Sequence, residues 1–411
     1  MPPPPTLPPF LKPLKPLPLI SATPPMHIQS PTLLTCLFLA SIPVEIVSFS
    51  SSCFLRANTC AKTGAHFASH GRFAAGLTGV QRVSTAQRAQ TSVTIVSRMA
   101  IQGDGSWEEK MRAQALVSTT WLQDRLGSND VVVLDVRGNV GKEDVGGGLV
   151  QTAYESLKDD YLSGHIPGAV FVDWTKDIVD LDSSIPVQLA EQDAFAAAME
   201  EKGVCGDKTV VVYDNGKMLF ATRLWWALTL YGHEDVRVLN GGMQRWLLEG
   251  RDTDMSEGCP LKMYGEFEAK DSFARMRVSA NDVRGTIQER EKGRGDLVID
   301  ARSAEQFSGK QRRSKRAGHI PYAVSVPYKD LIDTDKGGYL PPETVKRALK
   351  DRSAFPAPGQ KCVLYCNGGV ASTAVFFALW QQGVPLAHLG NYDGSFGEWG
   401  NAEDVELFPL V

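Results

Sequence analysis

In the stretch KCVLYCNGGVASTAVFFALW, residues 361 to 380, Cys366 stands where an apolar run gives way to a helical pattern, with Gly368 and Gly369 behind it. Glycines at such a junction allow backbone angles that side chains forbid, so several amides can turn towards one centre. Asn367, Gly368, Gly369, Val370, Ala371 and Ser372 are therefore expected to cradle the Cys366 sulfur. Converging N–H groups and the positive end of the following helix favour an anion there, which lowers the thiol pKa and equally stabilises a persulfide. The plainer alternative is a strand-to-helix turn in which Cys366 only fills space. Three chemistries use a glycine-bearing loop so placed, two of them through a cysteine. A cysteine-dependent phosphatase needs an arginine at the position held here by Ser372, to clamp phosphoryl oxygens. A phosphate-binding loop needs GK[ST] after its glycines, and none follows. Sulfur transfer asks only for a thiolate nucleophile and a water-poor cradle.

The elements that position Cys366 are written twice in the chain. VVVLDVRGNV (131–140) answers DLVIDARSAEQ (296–306), and YLSGHIPGAVFVDW (161–174) answers RAGHIPYAVSVPY (316–328). TVVVYDNGKMLFATRLWWALTLYG (209–232) answers KCVLYCNGGVASTAVFFALWQQG (361–383), and LNGGMQRWLLEG (239–250) answers NYDGSFGEWG (391–400) more weakly. His165 precedes Asp214 by 49 residues and His319 precedes Cys366 by 47; Asp214 precedes Trp246 by 32 and Cys366 precedes Trp399 by 33. Duplication explains letters and spacing together. Asp214 falls where the second copy has Cys366, so the first copy lacks a nucleophile.

Each copy opens with a capped helix, VSTTWLQDRLG or VSANDVRGTIQER. Short β-branched runs follow (VVVLDV, AVFVDW, TVVVYD; LVIDA, AVSVP, CVLYC), which suit strands buried on both faces and alternate with helical patterns. The fold class is α/β: two domains, 113–253 and 275–411, each a central, mainly parallel sheet flanked by helices, joined by a linker at 254–274. His165 and His319, in GHIP turns, are expected to orient strand entry through backbone bonds. Asp135 with Arg137 and Asp300 with Arg302 are expected to pair, and Trp225, Trp226, Trp246 and Trp399 to pack. Cys362 alternates with Cys366 along one strand face, deeper in the sheet.

The chain of 411 residues exceeds a single ordinary domain. Its charged fraction of 22% and formal charge of -4 give no basic field for nucleic acid. Up to residue 103 there are eight Lys plus Arg and a single acid, Glu45, among many Ser, Thr, Ala and Pro. That composition is expected of a cleaved organellar presequence, mitochondrial or plastid, at 1–103. The apolar segment 32–47 is too short and too broken by Pro43 and Glu45 for a membrane span. Four of the seven cysteines lie beyond the presequence, with no CxxC pair and no metal-ligand spacing.

With the doubled GHIP, LDVR and IDAR, NGGMQRW, YDGSFGEWG and CNGGVAS in this order, the chain resembles the tandem-domain rhodanese-type sulfurtransferases over roughly residues 113 to 405. The resemblance implies a ping-pong reaction. Cys366 would take sulfur from thiosulfate or 3-mercaptopyruvate, hold it as a persulfide, and yield it to cyanide, a thiol or a thioredoxin-like protein. It implies neither metal nor organic cofactor, and a catalytically silent first domain. A non-catalytic anion- or protein-binding module is the alternative.

The sequence departs from these relatives at the substrate contacts. Thiosulfate enzymes carry cationic side chains where Asn367 and Gly368 stand; mercaptopyruvate enzymes carry Gly then Ser there, and an arginine near Gln306. Within KQRRSKRAGHIP, Arg312 matches a carboxylate-binding arginine of the mercaptopyruvate group, and Arg316 and Asp300 are further candidates for the substrate site.

Overall fold

The computed structural model describes residues 106–144, 150–256, 265–404 and 410–411, all within one compact unit, Val80–Val411. The expected presequence, the 32–47 segment, the 257–264 part of the linker, and Cys36, Cys53, Cys60 and Cys259 lie outside the described residues.

The repeated apolar runs form two five-stranded sheets of one topology. In chain order the first copy contains β1 (Leu116–Val117), β2 (Val131–Asp135), a hairpin of β3 (Gly138–Asp144) and β4 (Val150–Ser156), β5 (Val170–Phe171), β6 (Thr209–Tyr213) and β7 (Val236–Leu239). The second contains β8 (Arg277–Val278), β9 (Leu297–Asp300), β10 (Ala323–Ser325), β11 (Cys362–Tyr365) and β12 (Leu389–Tyr392). The sheet orders are β1-β7-β6-β2-β5 and β10-β9-β11-β12-β8, which are the same order read from opposite edges. Every pairing in both sheets is parallel. Ser118 caps the first repeat's opening helix by accepting from Trp121 N, and Ser279 with Asp282 makes a full capping box in the second.

Successive strand residues leave opposite faces, and the cores divide accordingly. Val210 and Val212 enter one large cluster while Val211 and Tyr213 enter a smaller one; Cys362, Leu364 and Cys366 share the large cluster while Val363 and Tyr365 do not. The large cluster is common to both repeats. Three helices matter for it: α1 (Ser106–Gln114), α2 (Phe220–Leu230) and α3 (Ala371–Gln381). The sequences of α2 and α3 are apolar almost all round, the mark of a helix buried on every side, and they pack on each other. Trp225 sets its ring against Phe377 at 4.7 Å and Trp380 at 4.8 Å. Thr222 and Thr373, equivalent residues of the two copies, share a hydrogen bond of 3.0 Å, so the copies meet about an approximate two-fold axis.

Two features depart from a plain duplication. Helix α1 crosses to the second repeat: Glu108 Oε1 accepts from Trp380 Nε1 and Leu386 N, both at 2.9 Å. Among the described residues the antiparallel β3–β4 hairpin is found only in the first copy. It is tied down where Trp174 Nε1 donates to the Glu155 carbonyl at 3.0 Å and Asn215 Nδ2 to the Gly138 carbonyl at 3.2 Å.

Candidate active site

Each GHIP turn is fastened to the end of a strand in the same way. Arg137 bonds Asp135 through Nε and reaches the Gly164 carbonyl at 2.8 Å; Arg302 bonds Asp300 and reaches the Gly318 carbonyl at 2.8 Å. The tyrosine ending the central strand accepts from the isoleucine amide of the turn, Ile166 onto Tyr213 and Ile320 onto Tyr365. His165 and His319 stack on Tyr161 and Phe307 and bond the carbonyls of those residues through Nδ1. These groups hold the carboxyl ends of the strands in place, where ligands of parallel sheets bind.

In the first repeat the loop after β6 folds round its own anion. Asp214 accepts from the amides of Gly216 (2.8 Å), Met218 (3.2 Å), Phe220 (3.1 Å) and Ala221 (3.4 Å). Burial pushes this carboxyl's pKa up, and the four backbone donors oppose that shift. The second loop is one residue shorter between Cys366 and Thr373. Gly369 (φ 70°) takes the left-handed position that Met218 (φ 61°) holds in the first. Phe220 and Ala221 then correspond to Ala371 and Ser372, and no protein acceptor bonds the amides of Asn367, Gly368, Val370, Ala371 or Ser372 among the described residues. Cys366 takes the place of the carboxylate facing this free helix start, and the Ser372 hydroxyl stands 3.6 Å from its sulfur.

Among the described residues no loop amide makes a hydrogen bond to the Cys366 sulfur, whose one hydrogen-bonding neighbour is the Ser372 hydroxyl. The amides of Cys366 and Gly369 donate instead to Ser395 Oγ, at 3.1 and 2.9 Å. Asn391 fastens the loop from β12: its Nδ2 donates to the Gly369 carbonyl and its Oδ1 accepts from Ser372 Oγ at 2.6 Å. From the first repeat, Arg223 bonds the Gly369 and Val187 carbonyls and pairs with buried Asp393 at 2.6 Å. Neither Ser395, Asn391 nor Arg223 was singled out by its sequence context, because each acts across a distance that spacing along the chain does not encode.

Cys366 is 3% exposed, yet it opens on a cleft of about 330 Å³ between the two repeats. Asn367, Gly368, Val370 and Ala371 line it with Cys366; Gly369 and Ser372 support the loop from beneath. The first repeat supplies Val140, Lys142 and Tyr154 from its hairpin and Leu219 from its own loop. The candidate arginines need correction. Arg312 is exposed and outside the cleft lining, whereas its neighbour Arg313 lines the cleft. Arg316 is drawn to the Trp399 carbonyl at 2.5 Å, and Asp300 is consumed beneath the floor by Arg302. Gln306 lines the cleft while 5% exposed, and neither its Nε2 nor Arg313 Nε has a partner among the described residues. Lys142 and Lys329 add positive charge, against Glu305 as the acid of the lining. Cys362 lies buried on the same strand, its thiol pushed up to about 12 by burial.

The Rhodanese-like domain family matches residues 118–249 and 283–402. The 3-mercaptopyruvate sulfurtransferase of Escherichia coli K12 is 32% identical over 299 residues, covering 72% of this chain and 98% of that one. The thiosulfate sulfurtransferase of Corynebacterium glutamicum is 31% identical over 305 residues, covering 72% and 91%. The crystal structure of SseA from Escherichia coli, a 3-mercaptopyruvate enzyme, superposes with a TM-score of 0.57 at 31% identity, covering 69% of this chain and 98% of SseA. The chain belongs to the rhodanese family, with two tandem rhodanese-like domains, and is an enzyme of the sulfurtransferase type. No helix among the described residues is long and apolar enough to cross a membrane.

Proposed function

We propose that Cys366 takes a sulfur atom from a small anionic donor, holds it as a persulfide, and passes it to a thiol, a reduced thioredoxin-like protein or cyanide. The observation that carries this reading is the pair of loops: the first copy wraps four amides round a carboxylate, and the second presents a thiol at that place beside an open cleft.

Of the two donors that relatives are named for, 3-mercaptopyruvate suits this cleft better. Its carboxylate would meet the Arg313 guanidinium, whose planar fork matches a carboxylate, and the free Nε2 of Gln306. Beside the sulfur, Asn367 and Gly368 offer no cation to a thiosulfate dianion. The Cys366 thiolate attacks the donor's thiol sulfur and an S–S bond forms. The donor's C–S bond breaks, its electron pair leaving with pyruvate as the enolate, which is then protonated. An acceptor thiolate or cyanide next attacks the outer sulfur, the S–S bond breaks, and the Cys366 thiolate returns. Steady-state comparison of the donors tests the choice. kcat/KM for 3-mercaptopyruvate is expected to exceed that for thiosulfate by about tenfold, the worth of one charged hydrogen bond, and a reversed order contradicts it.

The acid-poor residues 1–103 support import into a mitochondrion or plastid. A fluorescent protein carrying Met1 to Gly103 at its N-terminus is expected in one of those organelles, and cytosolic fluorescence contradicts that.

A further inference from the structure

We infer that Tyr154, carried on the hairpin of the first repeat, is a catalytic residue for the cysteine of the second: its phenol O–H donates to the oxygen anion that forms on the donor as sulfur leaves. The inference deepens the 3-mercaptopyruvate reading above and rests on it. Tyr154 Oη lies 2.5 Å, and Cζ 3.2 Å, from the place a Cβ at position 368 would occupy. The hydroxyl therefore sits directly on the loop that holds Cys366, and both residues line one cleft. A side chain at 368 would displace it. The glycine thus does more than turn the loop, since it admits a phenol from the other repeat to the space beside the sulfur.

The ring is held where it can act reproducibly. Tyr154 pairs across the hairpin with Val140 and packs its edge on Trp174 at a centroid distance of 5.8 Å, and the Trp174 Nε1 bond to Glu155 fixes the strand beneath. Burial, followed by the negative charge available on Cys366, raises the phenol well above its ordinary value of 10, so it keeps its proton at neutral pH.

The chemistry of the donor gives that hydrogen a task. When the Cys366 thiolate attacks 3-mercaptopyruvate, the pair of electrons from the broken C–S bond becomes an enolate with its charge on oxygen. Tyr154 donates a hydrogen bond to that oxygen and keeps its proton, and solvent protonates the enolate at carbon to give pyruvate. Thiosulfate makes no such demand, because sulfite leaves as a stable anion.

The test compares the full-length enzyme with its Tyr154→Phe variant on both donors, with the acceptor fixed. The expected result is a loss of about 10²-fold in kcat/KM with 3-mercaptopyruvate, the usual worth of one donor to a developing oxyanion. The change with thiosulfate is expected to stay within a small factor. Should thiosulfate turn over too slowly to measure, glutathione persulfide replaces it, because its leaving thiolate also needs no proton. Alkylation of Cys366 by iodoacetamide is expected to keep its wild-type rate, showing the loop intact. An equal loss with both donors would make Tyr154 only a support for the loop, and no loss with 3-mercaptopyruvate would remove it from the chemistry; either overturns the inference. Failure of the wild-type enzyme to acquire sulfur from 3-mercaptopyruvate in a single turnover defeats the donor reading itself, and the inference with it.

Discussion

Cys362 and Cys366 leave the same face of β11 and meet different surroundings. Burial holds the Cys362 thiol at about 12, whereas Cys366 opens on the cleft. Native-state alkylation with iodoacetamide followed by peptide mapping is therefore expected to mark Cys366 and the half-buried Cys205 among the described cysteines. Marking of Cys362 in the folded protein contradicts this. Arg313 binds ground state and transition state alike if it only seats the carboxylate, so Arg313→Gln is expected to raise KM for 3-mercaptopyruvate about tenfold while leaving kcat nearly unchanged. A fall in kcat at constant KM would instead place the guanidinium at the reacting atoms. At this scale the cysteine and the loop that line the cleft were legible in the sequence, because CNGGVAS concentrates unusual residues in one place. The arginine was not: KQRRSKR contains four cations more beyond its first lysine, and a one-residue difference in loop path decides which of them faces inward.

The repeated strand ends were legible element by element, since Asp–Arg and GHIP recur as sets and do the same work in both copies, whereas the central-strand tyrosines that bond each turn emerge only in the fold. The β3–β4 hairpin was not. Its sequence, rich in glycine and charge, lacks the alternation that marks a half-buried strand, and the only trace is the longer stretch between Arg137 and His165 than between Arg302 and His319. Helix α1 was hidden for another reason: it begins between the expected presequence, ending at 103, and the expected first domain, opening at 113, and nothing local marks Glu108 as the acceptor for Trp380 and Leu386. Between elements, Arg223 of α2 and Asp393 after β12 form a pair that is nearly sealed from solvent, at 2% and 1% exposure. Removing Arg223 leaves the buried Asp393 carboxylate with Arg277, at 3.3 Å and partly exposed, as its remaining cation. Arg223→Met is expected to lower unfolding stability by about 3–5 kcal/mol in urea titration, and a variant within about 1 kcal/mol of wild type would show that the pair contributes little.

The two repeats share one apolar cluster across the whole molecule, with α2 and α3 at its centre. Calorimetry is accordingly expected to show a single cooperative transition for both domains, and two resolved transitions would contradict a common core. One group makes that stability depend on acidity. His233 is buried, its Nε2 bonded to the Cys205 carbonyl, and desolvation lowers its pKa. The unfolded chain thus binds a proton that the folded chain refuses, so stability is present above about pH 6.5 and declines as pH falls through that value. His233→Gln is expected to flatten the fall of Tm from about pH 7 to about pH 5, and an unchanged slope would assign the acid sensitivity elsewhere.

The most direct measurement is the mass of the tryptic peptide that contains Cys366 after a single turnover with 3-mercaptopyruvate, before any acceptor is added. A gain of one sulfur atom on that peptide in the wild-type enzyme, and none in Cys366→Ser, is the expected result. No gain, or a gain that survives in Cys366→Ser, contradicts the assignment of Cys366 as the atom that attacks and carries sulfur.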